Sequence, residues 1–120
     1  MGKKLLIVDD ETAVLSLLQD HFAALEYEVA TAPTGELGVE KAKSWKPDVI
    51  LLDINMPGMT GLEVLKAIRD DGGMMKIIMV TGVVENGIIE QIMTLGADHY
   101  IKKPLALSYL EGQVRDILES

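Results

Sequence analysis

Three carboxylates stand where carboxylates are hard to keep. Asp9 and Asp10 follow the apolar run Leu5-Leu6-Ile7-Val8, and Asp53 closes a second run, Val49-Ile50-Leu51-Leu52. A strand that is apolar at every position is buried on both faces, as in a parallel sheet covered by helices. The C-terminal end of such a strand is where open α/β sheets hold their ligands. Gathered at one edge, ionised carboxylates repel by about 4 kcal/mol per close pair at an effective dielectric of about 20. A short chain holds that arrangement only against a cation or for a chemical use. Two more groups fall at the same edge: Thr81, ending the fourth β-like segment, and Lys103, which ends the fifth and precedes Pro104. Three acids, a hydroxyl and an ammonium suit a small divalent cation with a phosphoryl group beside it. Mg²⁺ takes oxygen ligands and keeps several waters, a demand met by one or two carboxylates plus phosphate oxygens. Thr81 can donate to a phosphoryl oxygen and Lys103 can neutralise its charge. A carboxylate is also a competent nucleophile toward phosphorus, giving an acyl phosphate.

Taken singly, each of these residues has a plainer reading. Asp9-Asp10 and Asp53 could cap helices, Thr81 could be a turn hydroxyl, and Lys103 could be a solvated charge. Their joint placement separates the readings, and it depends on the elements that carry them. Strands are expected at Lys4–Asp9, Tyr27–Thr31, Asp48–Leu52, Lys76–Val80 and Asp98–Lys102. The first, third and fourth are almost wholly Leu, Ile, Val and Met and should be central. The second and fifth mix polar with apolar residues, as edge strands do. That distribution matches the doubly wound order 2-1-3-4-5. Between the strands run stripes of helical period: Val14, Leu18, Phe22 and Leu25; Leu62, Leu65 and Ile68; Leu110, Val114, Ile117 and Leu118. Thr60 and Glu63 form a capping-box pattern. The segment Val83–Leu95 is less settled, because Gly82 and Gly87 bracket its start, and a helix mobile at its N-terminal end is expected there. Strand-helix alternation makes this an α/β fold.

At 120 residues the chain fits a single domain, 1–120, with one sizeable core. Hydrophobic residues at 48% and charged residues at 25% read as a soluble globular chain. A formal charge of −8 disfavours general attraction to nucleic acid or anionic membranes. Cysteine is absent, which excludes disulfides and thiolate metal sites. No apolar run reaches membrane-spanning length, and the N-terminal one stops at Asp9, too early for a signal peptide. A cytoplasmic protein is expected. His21 and His99 have no matching partner in the sequence and read as incidental. The seven methionines read as core filler and loop packing, and Trp45 as a packing anchor at a helix end.

The chain resembles a receiver domain of a two-component response regulator, similar to the chemotaxis regulators, over essentially its whole length. The resemblance rests on Leu-Ile-Val-Asp-Asp (Leu6–Asp10), Leu-Leu-Asp-Ile-Asn-Met-Pro-Gly-Met-Thr-Gly (Leu51–Gly61), Val-Thr-Gly (Val80–Gly82) and Ala-Asp-His-Tyr-Ile-Lys-Lys-Pro (Ala97–Pro104). It implies a flavodoxin-like fold, a five-stranded parallel sheet with five helices on both faces. It implies Asp53 as phosphoacceptor, with Asp10 on Mg²⁺, Asp9 on the metal or its waters, and the Asn55 backbone carbonyl as a further ligand. Thr81 would bind the phosphoryl group and Lys103 would pair with it and with Asp53. Lys102 should face the other side of its strand, and the Lys103–Pro104 peptide should be cis.

The same resemblance implies the partners. A sensor histidine kinase or a histidine phosphotransfer protein would donate the phosphoryl group. Thr81 would move toward it, Tyr100 would fill the vacated space, and the surface of the fourth helix, fifth strand and fifth helix would change. That surface would address an effector protein or an output domain outside this chain, and a phosphorylation-dependent homodimer is compatible with it. No direct nucleic-acid or membrane binding is expected. Asn55 and Val83 occupy the positions that tune phosphoryl lifetime in the family, and together they imply an intermediate one. Gly82 and Leu105 depart from commoner residues of the family without disturbing the set. An alternative is an Mg²⁺-dependent phosphohydrolase with an aspartyl nucleophile. It would need an acid two residues after the nucleophile, where Asn55 stands. A flavodoxin-like cofactor binder would need a phosphate loop after the first strand, which is lacking, and a degenerate receiver would not need the full acid, threonine and lysine set.

Overall fold

Two alternating sets of side chains on the same strands build two separate cores, and this parity organises the fold. The computed structural model describes residues 2–82 and 86–120. Its elements are β1 (Lys4–Val8), α1 (Thr12–Ala24), β2 (Glu28–Ala32), α2 (Gly35–Trp45), β3 (Val49–Asp53), α3 (Gly61–Asp70), β4 (Lys76–Thr81), α4 (Asn86–Thr94), β5 (His99–Lys102) and α5 (Leu107–Glu119). All pairs are parallel, in the order β2-β1-β3-β4-β5. The α/β class and the strand order therefore stand as the sequence predicts, with strand ends shifted by about one residue.

Side chains alternate along a strand, so Leu6, Val8, Ile50, Leu52, Ile77 and Met79 point to one face. There they pack with Ala42 of α2, Val64, Leu65 and Ile68 of α3, and Ile92 of α4. Leu5, Ile7, Val49, Leu51, Ile78 and Ile101 point to the other, against Leu15, Leu18 and Phe22 of α1 and Leu110 and Val114 of α5. Both faces being covered explains why β1 after Lys4, and β3 before Asp53, carry no polar residue.

The helices begin and end for local reasons. At α3, the Thr60 hydroxyl accepts from the Glu63 N–H at 3.3 Å while the Glu63 carboxylate accepts from the Thr60 N–H at 3.1 Å, the expected capping box. Such caps contribute about 1 kcal/mol. α2 starts with the Thr34 hydroxyl accepting from Leu37 N–H at 3.2 Å. It stops at Lys46, which precedes Pro47 and takes the left-handed conformation (φ 52°). Trp45, in the last turn of α2, packs on the first core, with the Lys4 ammonium 5.4 Å from its ring centroid. No helix among the described residues is long and apolar enough to cross a membrane.

Several expectations need correction. Leu25 is not part of the buried stripe: it is the C-cap of α1 and 39% exposed, while Leu15 takes the inward position. The methionines are not uniformly filler, since Met74 is 90% exposed on the loop before β4 and Met93 lies on the outer face of α4. His21 has a partner after all, its Nε2 lying 3.0 Å from Glu111 Oε2 and so linking α1 to α5. The described part of the fourth helix runs from Asn86 to Thr94. Residues 83–85, and with them the expectation of a mobile helix start and the role of Val83, lie outside the described residues.

Phe22 is the largest fully buried side chain of the second core. It is fully buried and edge-on to Tyr27 at 5.4 Å and to His21 at 5.3 Å between ring centroids. Phe22→Ala is expected to lower stability by about 3–5 kcal/mol, read as a reduced midpoint in urea unfolding. That is a large share of a small domain's total.

Candidate functional site

Parallel strands put all their C-terminal ends at one edge, so the residues following β1 and ending β3 are forced together. Asp9 keeps the β1 ladder going for one more bond, its N–H donating to Ala32 O at 3.1 Å. Asp53 is the last residue of β3, opposite Val80. Both side chains are buried, at 4% and 3% exposure, whereas Asp10 next door is exposed. One carboxylate oxygen from each of the three lies within 4.8 Å of the others. The repulsion anticipated from the sequence is thus present in the fold.

The three carboxylates are held differently. Asp9 Oδ1 accepts from the Glu11 N–H at 2.9 Å, just before α1, whose N-cap Glu11 offers no side-chain cap of its own. Asp53 Oδ1 faces the Lys103 ammonium at 3.2 Å, but the approach is not directed along a hydrogen bond, and this buried oxygen has no hydrogen-bond partner among the described residues. Burial raises the Asp53 carboxyl above its ordinary 3.8 and the charge of Asp9 raises it further; Lys103 and a backbone hydrogen bond from Asn55 offset only part of this. Burial likewise raises Asp9, against its bond to Glu11 and the attraction of Lys103. Lys103 is the converse case. Burial works to lower it, but Asp53, then Asp9 and Glu11, outweigh burial and hold its pKa above 10.5. An ammonium counterbalances the carboxylates without cancelling them.

Lys103 reaches the acids because its own N–H donates to Thr81 O at 2.8 Å, which extends the β4–β5 pairing past Lys102. Lys102 is exposed and pairs in register with Thr81. The Lys103–Pro104 peptide is cis. Thr81 is buried at 1% exposure at the end of β4. Tyr100 stands opposite Met79, and Lys102 opposite Thr81, so Thr81 and Tyr100 are diagonal neighbours on one face of the sheet. Tyr100 is half-buried against the first core, not an exposed edge aromatic, with the His99 ring 6.0 Å away. Asn55 is exposed in the loop after β3.

Two neighbours of the site were not singled out from the sequence. Glu11 Oε1 lies 3.9 Å from the Lys103 ammonium, so that cation is shared between Asp53 and a more exposed acid. Its signal was its place directly after Asp9-Asp10. Gly61, at the first position of α3, is packed against the backbone of β3's end: a Cβ there would overlap the carbonyl oxygen of Asp53. Only glycine lets α3 start so close beneath the acid.

The carboxylate set fits a hard divalent cation. Its donors are oxygens, three of them converge within reach of one ion, and a buried oxygen of Asp53 lacks a directed partner.

Residues 5–115 match the family described as response regulator receiver domain. The chain is 39% identical over 118 residues to the alkaline phosphatase synthesis transcriptional regulatory protein PhoP of Bacillus subtilis, covering 98% of this chain and 49% of that protein. It is 37% identical over 105 residues to the chemotaxis protein CheY of Thermotoga maritima, covering 87% of this chain and 88% of that one. In structure it superimposes on a CheY-like response regulator receiver domain protein of Methanospirillum hungatei with a TM-score of 0.92 and 35% identity, covering 99% and 95% of the two chains. The chain thus spans about half the length of PhoP and most of the length of the CheY relative. With sequence family and sheet topology agreeing across nearly every element, the chain belongs to the response regulator receiver domains of two-component systems.

Proposed function

We propose that this chain is a phosphorylation switch in which Asp53 accepts a phosphoryl group from a histidine kinase or a histidine phosphotransfer protein, with residues 1–120 forming one receiver domain. The observation that carries this reading is the state of Asp53. It is buried, it is held beside two other carboxylates, and its Oδ1 faces the Lys103 ammonium with no directed hydrogen bond among the described residues. A carboxylate left under-solvated is a better nucleophile than one in water.

Asp9, Asp10, Asp53 and the backbone carbonyl of Asn55 would hold Mg²⁺. When bound, that ion neutralises carboxylate and phosphoryl charge and helps orient the donor. In the transfer, an Asp53 oxygen forms the new bond to phosphorus as the bond to the donor's imidazole nitrogen breaks, and the electron pair leaves with that nitrogen. Lys103, already 3.2 Å from Oδ1, is positioned to follow the charge as it passes to the phosphoryl oxygens. Thr81, buried on the next strand, offers a hydroxyl donor to the same group. Its diagonal relation to Tyr100 gives the event a route to the face formed by α4, β5 and α5. Reversing a 1:99 population to 99:1 takes about 5.5 kcal/mol of differential stabilisation. A new dianion between Lys103 and Thr81 is a source for it. The switched face would act on an effector protein or an output domain.

Three outcomes are expected. Incubation with Mg²⁺ and acetyl phosphate should add one phosphoryl group by intact mass, and Asp53→Asn should abolish it; an adduct that survives the substitution would overturn the assignment. The second concerns the metal-free fold. Asp53 and Asp9 have pKa values raised in the folded state, so their ionisation opposes folding, and stability should rise as pH falls from neutral through their folded values above 3.8. Asp53→Asn should therefore stabilise the metal-free protein at neutral pH by about 1–2 kcal/mol, once lost attraction to Lys103 is set against relieved repulsion. It should also flatten the acid-side slope; a net loss of stability in metal-free buffer would contradict this account. Third, the phosphorylated protein should decay at an intermediate rate, because Asn55 leaves room for water while Val83, by its sequence, cannot orient one. Persistence for many hours would exclude it.

A further inference from the structure

The edge of the sheet opposite Asp53 holds a cavity of about 570 Å³ that the phosphorylation chemistry leaves unused. It opens among the C-terminal ends of α2 and α3 and the starts of β1, β3 and β4. Four lysines line it, Lys3, Lys43, Lys46 and Lys76, out of eleven Lys and Arg in a chain of net charge −8. Two acids stand at its wall: Asp71, which pairs with Lys43 at 3.9 Å, and Asp48, whose Oδ2 accepts from the neutral Lys4 backbone N–H at 2.7 Å and so keeps its charge. Lys3, Lys46 and Lys76 have no ion-pair partner among the described residues. Four lysines against two carboxylates leave an excess of positive charge in one concave place on an acidic molecule.

Between the lysines the lining is apolar, supplied by Ala42, Ile68, Met75 and Leu118, while Met74 stands at the rim with 90% of its surface exposed. No other large hydrophobic side chain among the described residues is exposed to that degree. The wall is also preformed. Arg69 donates to the carbonyls of Gly73 at 2.9 Å and Met75 at 2.7 Å, and Gly73 N–H donates to Ile68 O at 3.0 Å. Gly72 turns the chain with a left-handed φ of 82°, and a Cβ on Gly73 would press on Ile68.

From this geometry we infer that the cavity at the N-terminal edge of the sheet binds a small organic anion with an apolar body, such as a medium-chain or aromatic carboxylate or sulfonate. The volume suits one small ligand rather than a polypeptide. The head group would sit among Lys3, Lys46 and Lys76, the body would lie on Ile68 and Met75, and Met74 would fold over it and lose its exposure. A purely inorganic anion would leave the apolar lining unused. A neutral apolar molecule would leave the excess of lysines over carboxylates unbalanced.

The test uses the unphosphorylated chain and 1-anilinonaphthalene-8-sulfonate as probe, with the position of binding read from backbone amide shifts. One saturable site is expected, displaced by decanoate and not by the same concentration of inorganic phosphate. Shifts should centre on Lys43, Lys46, Gly72, Gly73 and Met75. Lys46→Glu combined with Lys76→Glu should weaken binding about tenfold, and Met74→Ala should weaken it a few-fold, whereas Lys66→Glu on the outer face of α3 should change nothing. The Met74 variant keeps the test decisive where the double charge reversal fails to fold. Asp53→Asn should bind as the parent does, so failure here is separable from failure of the phosphoacceptor assignment. Non-saturable binding, equal affinity in the cavity variants, shifts centred elsewhere, or displacement by phosphate as effective as by decanoate would each overturn the proposal.

Discussion

Placing Asp9 and Asp53 on strands covered on both faces is the constraint from which the rest of this molecule follows. The two buried acids repel each other and Asp10, lose hydration, and recover only part of the loss from one ammonium and two backbone N–H groups. A buried charge is tolerated only with such compensation, so Lys103 is as much a part of the fold as of the site. Its position in turn depends on β5 continuing beside β4 beyond Lys102, through the bond from Lys103 N–H to Thr81 O. Glycine at position 61 then lets α3 begin directly against the end of β3, where a side chain would collide with the Asp53 carbonyl.

Three chemically similar groups thus acquire three environments. Asp10 is exposed and keeps its water. Asp9 is buried but its Oδ1 is satisfied by Glu11 N–H. Asp53 is buried with Oδ1 facing a cation and no directed bond. The difference among them comes from the backbone around each, not from the side chains. It leaves Asp53 as the one of the three that is buried with an oxygen lacking a directed bond among the described residues. Glu11 adds a second claim on Lys103, at 3.9 Å against 3.2 Å, so the ammonium is balanced between a buried and a more exposed acid.

The strands, their order and the gathering of the acids at one edge were legible because each leaves a local mark. Continuous Leu-Ile-Val runs mark β1 and β3, mixed polar patterning marks β2 and β5, and Thr60 with Glu63 marks the start of α3. What escaped depends on contacts that leave none. His21 meets Glu111 across 90 residues of sequence. Leu25 continues the stripe of α1 in register but falls past the helix end, where the chain turns away from the core. Met74 looks like any other methionine until the Gly72-Gly73 turn lifts it into solvent. The cavity at the N-terminal edge is set by Arg69 holding the loop open, a relation between side chain and distant carbonyls that periodicity does not encode. Glu11 was visible in the sequence but gained meaning only from the reach of Lys103.

A parallel sheet also has a polarity that its charges exaggerate. Every strand ends at one edge and starts at the other, so Asp9, Asp10 and Asp53 collect at the first edge while Lys3, Lys46 and Lys76 collect at the second. Between them lie two apolar layers of close packing, through which neither group of charges is solvated. Charges on opposite edges of such a slab attract too weakly to neutralise one another, because solvent and salt screen them over that separation. Each edge must therefore find its own counter-charge. At the acidic edge Lys103 is the one cation among the described residues in an ion pair with Asp53, against three carboxylates. At the other edge the acids lining the cavity, Asp48 and Asp71, are outnumbered by its four lysines. An acidic chain that keeps an excess of lysines over an apolar cavity is out of balance at both ends, and a ligand of the opposite sign at each would relieve it.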